Sequence, residues 1–262
     1  MGADIAEMQG FLGLTENAKR ITAFTGAGLS TECGVPDFRS PDSPWLRWPP
    51  MDFATFLASE NNRREAWRRK FLVDAMWTGA KPGRGHAALA RLAAQGRLRA
   101  VITQNIDGLH QASGIDADSV IELHGNGTYA ACLACEARQE LAPLRHEFLA
   151  NSRLPSCACG GIVKSATISF GQAMPRVAMR RAADATLDCD LFLAIGSSLV
   201  VHPAARFPLL ARDNGAKLAI LNAQPTPLDG AADVVLRRDI GDVLTHVAVS
   251  HRPGKTIAAL PR

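Results

Sequence analysis

Short apolar runs alternate with helical patterns along most of this chain. Six of these runs, each bounded by Gly, Asp or Asn, predict buried strands: Ile21–Thr25, Leu98–Thr103, Val120–Leu123, Leu191–Ile195, Leu218–Leu221 and Val234–Leu236. Several lack strict apolar and polar alternation, which is typical of strands covered on both faces. Helical spacing predicts helices at 85–95, 175–187 and 203–214. The succession of strand and helix predicts an α/β fold with a doubly wound parallel sheet.

Two stretches interrupt this succession. Residues 41–81 hold all four tryptophans and two helix-like runs without a strand signal, which predicts a helical insert. Residues 128–164 hold four of the six cysteines and predict a second, smaller insert. The remaining segments, 1–40, 82–127 and 165–262, are expected to form one large domain of a single catalytic unit.

Length and composition indicate a soluble globular enzyme. The 262 residues suffice for one large core, and 47% of them are hydrophobic and 21% charged. No apolar run approaches the roughly 18 residues of a membrane span, and the N-terminus does not resemble a secretion signal. We therefore expect a cytoplasmic protein without a membrane partner.

The charge pattern adds little about partners. The net charge is +4, and one basic cluster, RREAWRRK, spans Arg63 to Lys70. It suits either an acidic partner or a solvated helix face, and the composition favours the solvated face. A nucleic-acid partner is not expected.

A glycine-rich turn follows the first predicted strand, at Gly26, Ala27 and Gly28. Such a turn lets the backbone approach a pyrophosphate, and N–H groups at the start of a helix favour anionic oxygens. Thr31 stands where the usual pattern has a third glycine, so a tight turn without chemical consequence stays an alternative. The following stretch, which ends in Asp37, Phe38 and Arg39, suits a loop that folds over a bound phosphate and sugar.

Polar side chains cluster in the run TQNIDGLH at 103–110, where the second predicted strand ends. Gln104, Asn105 and Asp107 supply paired donors and acceptors that can recognise an amide such as nicotinamide. The alternative is a polar turn that caps the next helix.

Four cysteines in the second insert have the spacing of a metal site. The pairs CxxC and CxC fit a tetrahedral zinc site made by Cys132, Cys135, Cys157 and Cys159. Four thiolates leave no open coordination position, so the zinc is predicted to be structural; a redox pair is the alternative. Cys33 has no evident base beside it in sequence and receives no catalytic role.

His124 is the histidine that the motifs single out. It lies in the run IELHG, between TQNID and the first cysteine pair, and is a candidate general base beside a dinucleotide site. Considered alone, a histidine after a strand is more often structural. Its position between the two motifs reverses that preference.

Taken together, these motifs resemble the sirtuins, which are NAD-dependent protein deacylases. The resemblance spans Ile21 to Ile240 and rests on GAGLSTECGVPDFRS, TQNIDGLH, the HG at 124–125, the two cysteine pairs, FG at 170–171, GSSLVVHP at 196–203 and LN at 221–222. It implies a Rossmann-like large domain, a small zinc-ribbon and helical domain, and a cleft in which NAD and an acyl-lysine peptide meet.

The resemblance also implies roles for individual residues. The catalytic positions would be His124, Asn105 and Asp107. NAD would bind to Gly26, Ala27, Gly28, Asp37, Phe38, Arg39, Gln104, Asn105, Ile106, Asp107, Gly196, Ser197, Ser198, Asn222 and Ile240. The peptide would pair with Phe170, Gly171, Leu199 and Val200. In this scheme the acyl oxygen of the modified lysine attacks the ribose carbon as nicotinamide leaves, and His124 then deprotonates a ribose hydroxyl. The products are free lysine, nicotinamide and an O-acyl-ADP-ribose.

The segment IVKSATISFGQ departs from the family pattern, since Gln172 replaces an acidic residue. The only tyrosine is Tyr129, so the Tyr and Arg pair of desuccinylating members is missing. We therefore expect NAD as cosubstrate, one structural zinc ion, an acyl-lysine protein or peptide as partner, and deacetylation by default. A longer-chain deacylase and a protein ADP-ribosyltransferase are the alternatives. The retained His124, Asn105 and Asp107 disfavour a non-catalytic NAD-binding module.

Overall fold

Nine strands form two sheets within the residues described by the computed structural model, which are 2–38, 40–41 and 43–250. The strands are β1 (Ile21–Thr25), β2 (Leu98–Thr103), β3 (Val120–Glu122), β4 (Gly125–Cys132), β5 (Arg138–Glu140), β6 (Val163–Thr167), β7 (Leu191–Ile195), β8 (Lys217–Leu221) and β9 (Val234–Leu236). Six of them form a parallel sheet in the order β3-β2-β1-β7-β8-β9. The predicted doubly wound sheet is confirmed.

The strand order reverses direction between β1 and β7. In open α/β sheets, ligands bind beyond the carboxyl ends of the strands at such a reversal. The residues that follow Thr25 and Ile195 therefore meet at the position where a ligand is expected.

Ten α-helices connect the strands in the part of the chain described. They are α1 (Gly2–Asn17), α2 (Pro44–Arg47), α3 (Phe53–Ala58), α4 (Glu60–Trp77), α5 (Arg84–Ala94), α6 (Leu109–Ala112), α7 (Leu141–Asn151), α8 (Arg176–Leu187), α9 (Phe207–Asp213) and α10 (Ile240–Ser250). The predicted helices 85–95 and 175–187 correspond to α5 and α8. None of the helices described here combines the length and apolar character that a bilayer span requires.

The predicted helix at 203–214 is shorter than expected. A 3-10 turn occupies Ala204–Arg206, and the α-helix proper begins at Phe207. Pro208 lies in the first turn of α9, where its missing N–H costs nothing, but further inside a helix it would remove a hydrogen bond. The proline therefore favours a helix start here over a continuous helix from 203.

Helices cover both faces of the large sheet. Alternate residues of β1 divide between two cores: Ile21 and Ala23 pack with residues of α1, α5 and α10, whereas Phe24 packs with residues of α8 and α9. On the second face, the rings of Phe24 and Phe192 lie 5.9 Å apart. Both faces of β1 are thus buried, which explains why the strand has no alternation of apolar and polar residues.

A smaller antiparallel sheet, in the order β5-β4-β6, lies in the cysteine-rich stretch. One face packs on Trp67 and Phe71 of α4, and Phe148 of α7 completes this core with ring centroids 5.5 Å from Phe71. The helical and cysteine-rich stretches therefore share one apolar core. The sheet reaches from 125 to 167, slightly past the predicted insert, and the division into domains stays a prediction.

The basic run Arg63–Lys70 lies in α4, where most of its charges are paired within the helix. Glu65 accepts hydrogen bonds from both Arg68 and Arg69, at 2.6 and 2.7 Å, and Lys70 pairs with Asp74. These pairs neutralise much of the positive charge on this helix face.

We expect the substitution Leu193→Ala to destabilise the protein strongly. Leu193 of β7 is completely buried, and its truncation leaves a cavity that typically costs about 2–5 kcal/mol in the free energy of unfolding. Leu149→Ala is the matched control, because 65% of that leucine is exposed and a change within about 0.5 kcal/mol is expected. Urea unfolding of the two variants measures the difference, and equal losses would contradict this assignment of the core.

Candidate active site

The turns after β1 and β7 pack directly against each other. The backbone N–H of Gly28 donates to the carbonyl of Gly196 at 2.9 Å, and that of Gly26 donates to Ile195 at 3.0 Å. A Cβ atom on Gly26 would lie 2.6 Å from the Gly196 carbonyl oxygen, and one on Gly28 would lie 2.8 Å from the Gly196 Cα. These glycines are therefore required for contact between the two turns, independently of any ligand.

The sequence suggested that a helix begins after Gly26, but no α-helix begins there. It forms two 3-10 turns, Ala27–Leu29 and Thr31–Cys33. Gly34 adopts a left-handed conformation with φ of 78° and ends the second turn, because few other residues accept that geometry. The expected α-helical start is therefore replaced by two short 3-10 turns, in which Ala27 and Gly28 are half-buried.

Gln104 connects three neighbouring strands at their carboxyl ends. It follows β2, its backbone N–H donates to the Thr25 carbonyl of β1 at 2.9 Å, and its side-chain Nε2 donates to the Ser197 hydroxyl at 2.7 Å. Ser197 lies in the turn after β7 and is buried. The two halves of the large sheet are thereby joined by one polar side chain at the predicted cofactor site.

Asn105 and Asp107 share a third residue that sequence analysis missed. The Asn105 amide Nδ2 donates to the carbonyl of Gly26 at 3.1 Å and to the hydroxyl of Ser30 at 3.2 Å. Ser30 in turn donates to Asp107 Oδ2 at 2.7 Å, while Asp107 Oδ1 accepts from the N–H of Leu109 at 2.9 Å. Asp107 therefore both supports the polar cluster and holds the start of α6. The motif GAGLS contains Ser30, but nothing in the sequence pairs it with TQNID.

The orientation of Asn105 leaves one of its atoms available. Its side chain is fixed through Nδ2, while Oδ1 has no protein partner among the described residues and is not among the buried unpartnered atoms. An anchored amide with a free carbonyl oxygen can accept a hydrogen bond from a ligand or a water molecule.

His124 follows β3, and the backbone carbonyl of Gln104 orients its ring. His124 Nδ1 lies 3.1 Å from the Gln104 carbonyl oxygen, which can only accept, so Nδ1 carries the hydrogen. In the neutral ring Nε2 is then the basic nitrogen. Burial lowers the pKa of His124, and the hydrogen bond to Gln104 opposes this shift only partly. The carbonyl of His124 also accepts from the N–H of Ile168 at 2.8 Å, directly after β6.

The predicted cofactor loop is only partly within the described structure. Both Asp37 carboxylate oxygens accept hydrogen bonds from Ser40, at 2.7 Å from its N–H and 2.6 Å from its hydroxyl. The half-exposed ring of Phe38 stacks on Trp45 with centroids 4.8 Å apart. Arg39, which was predicted to bind NAD, lies outside the described residues.

The remaining predicted NAD-binding residues lie around the same sheet edge. Ile106 accepts a hydrogen bond from Gly127 at 2.7 Å, and Asn222, which follows β8, donates to the Gln224 carbonyl at 2.8 Å. Ile240 begins α10 and packs on the core beneath the glycine turn. Their binding roles, together with that of the half-buried Ser198, stay predictions.

The residues predicted to contact the peptide lie on two loops. Phe170 is 62% exposed, and its carbonyl accepts from the N–H of Phe53 at 2.9 Å, which ties this loop to the helical stretch. Gly171 has a φ of 77°. On the other loop, Leu199 is buried whereas Val200 is exposed. The two loops thus present an exposed aromatic ring and an exposed aliphatic side chain.

The four predicted zinc ligands come together. The sulfur atoms of Cys132, Cys135, Cys157 and Cys159 all lie within 4.8 Å of one another. Backbone N–H groups of Cys135 and Ala134 lower the pKa of the Cys132 thiol to about 6. The Gly161 N–H lowers the pKa of Cys159, but the three neighbouring cysteines raise it to about 12. A Cβ atom on Gly161 would lie 2.5 Å from the Cys132 sulfur, so only glycine fits beside the cluster. The donor set and its packing fit a structural zinc ion.

The structure places a histidine beside Cys33 that is distant from it in the sequence. Its sulfur lies 3.7 Å from Nδ1 of the buried His86, which comes from α5. Burial nevertheless raises the pKa of the Cys33 thiol and the nearby carboxylates of Glu32 and Asp107 add to this, although the Gly83 backbone lowers it. Burial therefore disfavours a reactive thiolate at Cys33.

Removal of one zinc ligand is expected to abolish metal binding. Cys132→Ser should lose zinc and lower the melting temperature, because the ion holds together the small sheet. Cys189→Ala is the control, since that buried cysteine lies outside the cluster and the variant should keep a full complement of zinc. Metal content per chain and thermal unfolding check both. Full zinc content in Cys132→Ser would contradict the four-cysteine assignment.

Comparisons with known proteins agree with this geometry. The Sir2 family model matches residues 26–203. An NAD-dependent protein deacetylase of Rhodopseudomonas palustris is 54% identical over 229 residues, which cover 87% of this chain and 90% of that protein. NAD-dependent protein deacetylase 1 of Bradyrhizobium diazoefficiens is also 54% identical, over 228 residues that cover 87% of this chain and 89% of that protein.

Solved structures show the same similarity. A structure of Sir2 with a p53 peptide and NAD+ superimposes with a TM-score of 0.81 at 35% identity, covering 92% of this chain and 96% of the other. A Sir2 variant with deacetylated p53 peptide and 3'-O-acetyl-ADP-ribose has a TM-score of 0.83 at 33% identity, with the same coverage. The chain belongs to the Sir2 family.

Proposed function

We propose that this protein is an NAD-dependent protein-lysine deacetylase that transfers the acyl group from lysine to ADP-ribose and releases nicotinamide. The observation that carries the proposal is the pairing of His124 Nδ1 with the Gln104 carbonyl at 3.1 Å, which prepares Nε2 as a base at the carboxyl edge of the sheet. The two bacterial relatives at 54% identity, both named NAD-dependent protein deacetylases, support it.

NAD, when bound, supplies both the nicotinamide leaving group and the ADP-ribose acceptor. The residues present fit it chemically: Ala27 and Gly28 in the turn after β1 are only half-buried, and Gln104 and Asn105 carry amide groups suited to nicotinamide. Asp37, Phe38 and Arg39 would cover the cofactor, and Asn222 and Ile240 would face its adenosine half.

His124 acts as the general base in this proposal. Because Nδ1 is held by the Gln104 carbonyl, Nε2 can take a proton from a ribose hydroxyl. Burial keeps the ring neutral near pH 7, so the base does not have to lose a proton first.

Asn105 and Asp107 serve the reaction differently. Asn105 presents Oδ1 from an amide whose Nδ2 is already anchored, and can orient a hydroxyl or water. Both Asp107 oxygens accept hydrogen bonds, from Ser30 and Leu109, so Asp107 chiefly holds the loop in place.

The acyl-lysine substrate would lie between the loops at Phe170–Gly171 and Leu199–Val200, with its backbone adding to exposed chain edges. Sir2 structures with an acetylated and with a propionylated peptide support short acyl chains as substrates. Within the turn at Ser169–Gln172, Gln172 Oε1 accepts from the Ser169 N–H at 3.2 Å, so its amide stabilises the loop without an added charge. The zinc is structural in this scheme, and a cytoplasmic location stays a prediction.

We expect His124→Ala to lose deacetylation by about 10²-fold or more while NAD still binds. The variant and the wild type are incubated with NAD and acetyl, longer-acyl or unmodified peptides, and mass spectrometry follows the products. His146→Ala, which removes an exposed histidine of α7, is the control and should keep full activity. Full deacetylation by His124→Ala would refute its role as base. A gain of ADP-ribose on protein without loss of acyl groups would instead support the ADP-ribosyltransferase.

The pH profile offers an independent check on His124. Protonation of Nε2 removes the base, so kcat/KM is expected to fall as the pH drops through the pKa of His124. Because burial lowers that pKa, the midpoint of the acid limb should lie below the ordinary histidine value of about 6.5. A profile whose acid midpoint lies above that value would contradict the burial of this base.

A further inference from the structure

Two buried threonines lie side by side where β1 and β2 end. The parallel register pairs Thr25 with Thr103, and both are almost completely buried. Their hydroxyl oxygens are 2.9 Å apart, with Thr25 donating to Thr103. Each is followed directly by a residue of the candidate site, Gly26 in one strand and Gln104 in the other.

His110 of α6 covers this pair from outside the sheet. Its Nε2 lies 2.9 Å from the Thr25 hydroxyl oxygen. Since Thr25 uses its own hydrogen toward Thr103, Thr25 accepts here and His110 donates from Nε2. In this arrangement His110 Nδ1 carries no hydrogen, and it is buried without a hydrogen-bond partner among the described residues.

The chain of hydrogen bonds ends at the backbone of Asn105. The Thr103 hydroxyl oxygen accepts from the Asn105 N–H at 3.0 Å. Hydrogen bonds thus connect His110 to Thr25, Thr25 to Thr103, and Thr103 to Asn105. Asn105 was a candidate from its sequence motif, whereas His110, Thr25 and Thr103 were not.

Burial against a second histidine favours the neutral form of His110. Burial, with a smaller contribution from the adjacent His86 ring, lowers the pKa of His110 to about 3. The rings of the two histidines have centroids 5.0 Å apart, and both are buried. His110 is consequently a constant hydrogen-bond donor and does not exchange protons with the substrate.

We infer that His110 is a positioning residue, which acts through Thr25 and Thr103 to hold the Asn105 backbone so that Asn105 Oδ1 faces the NAD site. The inference rests on the proposed function. Its physical basis is that Asn105 is fixed twice, by Thr103 at its backbone and by Gly26 and Ser30 at its side chain. Release of the backbone contact lets the amide shift relative to the cosubstrate.

The test compares His110→Phe with His110→Gln. His110→Phe fills a similar volume without a donor, and kcat/KM for NAD should fall about 10-fold to 100-fold, as small misplacements of reacting groups do. The KM for the acetyl-peptide should stay unchanged, because the peptide contacts lie elsewhere. His110→Gln offers an amide donor to Thr25 and should recover most of the loss.

A double-mutant cycle with Thr25→Val tests whether the loss in His110→Phe acts through the hydrogen bonds that connect His110 to Asn105. Thr25→Val removes the intermediate hydroxyl and should cause a loss similar to that of His110→Phe, and the double variant should lose no more than either single one. Thr186→Val is the matched control: it also removes a buried threonine hydroxyl, bonded to Ala182 within α8, and kcat/KM for NAD should not change.

A measurement without turnover complements the kinetics. Amide hydrogen exchange of the Asn105 N–H in the NAD-free protein, followed by NMR, should accelerate in His110→Phe and Thr25→Val but not in Thr186→Val. Calorimetry of NAD binding should show weaker affinity in the first two variants.

The outcomes separate the two proposals. If the wild type binds NAD but removes no acyl group, the proposed function fails. Amide exchange and calorimetry of NAD binding still test the positioning role of His110 in that case. If the wild type is active and His110→Phe matches it in kcat/KM for NAD, the inference about His110 is wrong. Additive losses in the cycle, or a lower melting temperature without any selective loss toward NAD, would also overturn it. Should His110→Phe fail to fold, wild-type behaviour of Thr25→Val would overturn it equally.

Discussion

The candidate site depends on one backbone contact, between the turns that follow β1 and β7. Gly26, Gly28 and Gly196 approach so closely that no Cβ atom fits at any of the three positions. This contact lies where the strand order reverses, and it brings Ser197 within reach of Gln104 from β2. The Gln104 carbonyl then orients His124. The contacts of Gln104 with Ser197 and with His124 thus lie beside a close backbone approach that only glycine permits.

The parts of the structure that depend on short sequence patterns were predictable. Strands buried on both faces gave continuous apolar runs, and four cysteines at ribbon spacing identified their own cluster. Features that depend on packing could not be predicted from such patterns. Neither α1 nor α10 was predicted, and the loop after Gly28 forms 3-10 turns where a helix start was expected. The threonine pair could not be recognised, because strand register sets its contact, and Ser30 meets Asn105 only where the loop after β1 packs on the segment after β2.

Some residues of the candidate site have two structural roles. The TQNID segment suggested either a ligand-binding cluster or a helix cap, and the structure shows the cap, since one Asp107 oxygen accepts from the Leu109 N–H at the start of α6. The other Asp107 oxygen accepts from Ser30 in the loop after β1. The glycine turn likewise packs tightly against Gly196 while Ala27 and Gly28 in it stay half-buried. Residues with two such duties tolerate substitution poorly, because any change disturbs both.

The aromatic core shared by α4 and the small sheet constrains how this architecture can be altered. Trp67 and Phe71 come from one interruption of the large sheet, and Ala130, Phe148 and Val163 come from the other. A chimera that exchanged the cysteine-rich stretch alone would leave two large rings facing a foreign surface, and one that exchanged only the helices would uncover the ribbon. The two segments, distant along the chain, therefore form a single module for recombination and design.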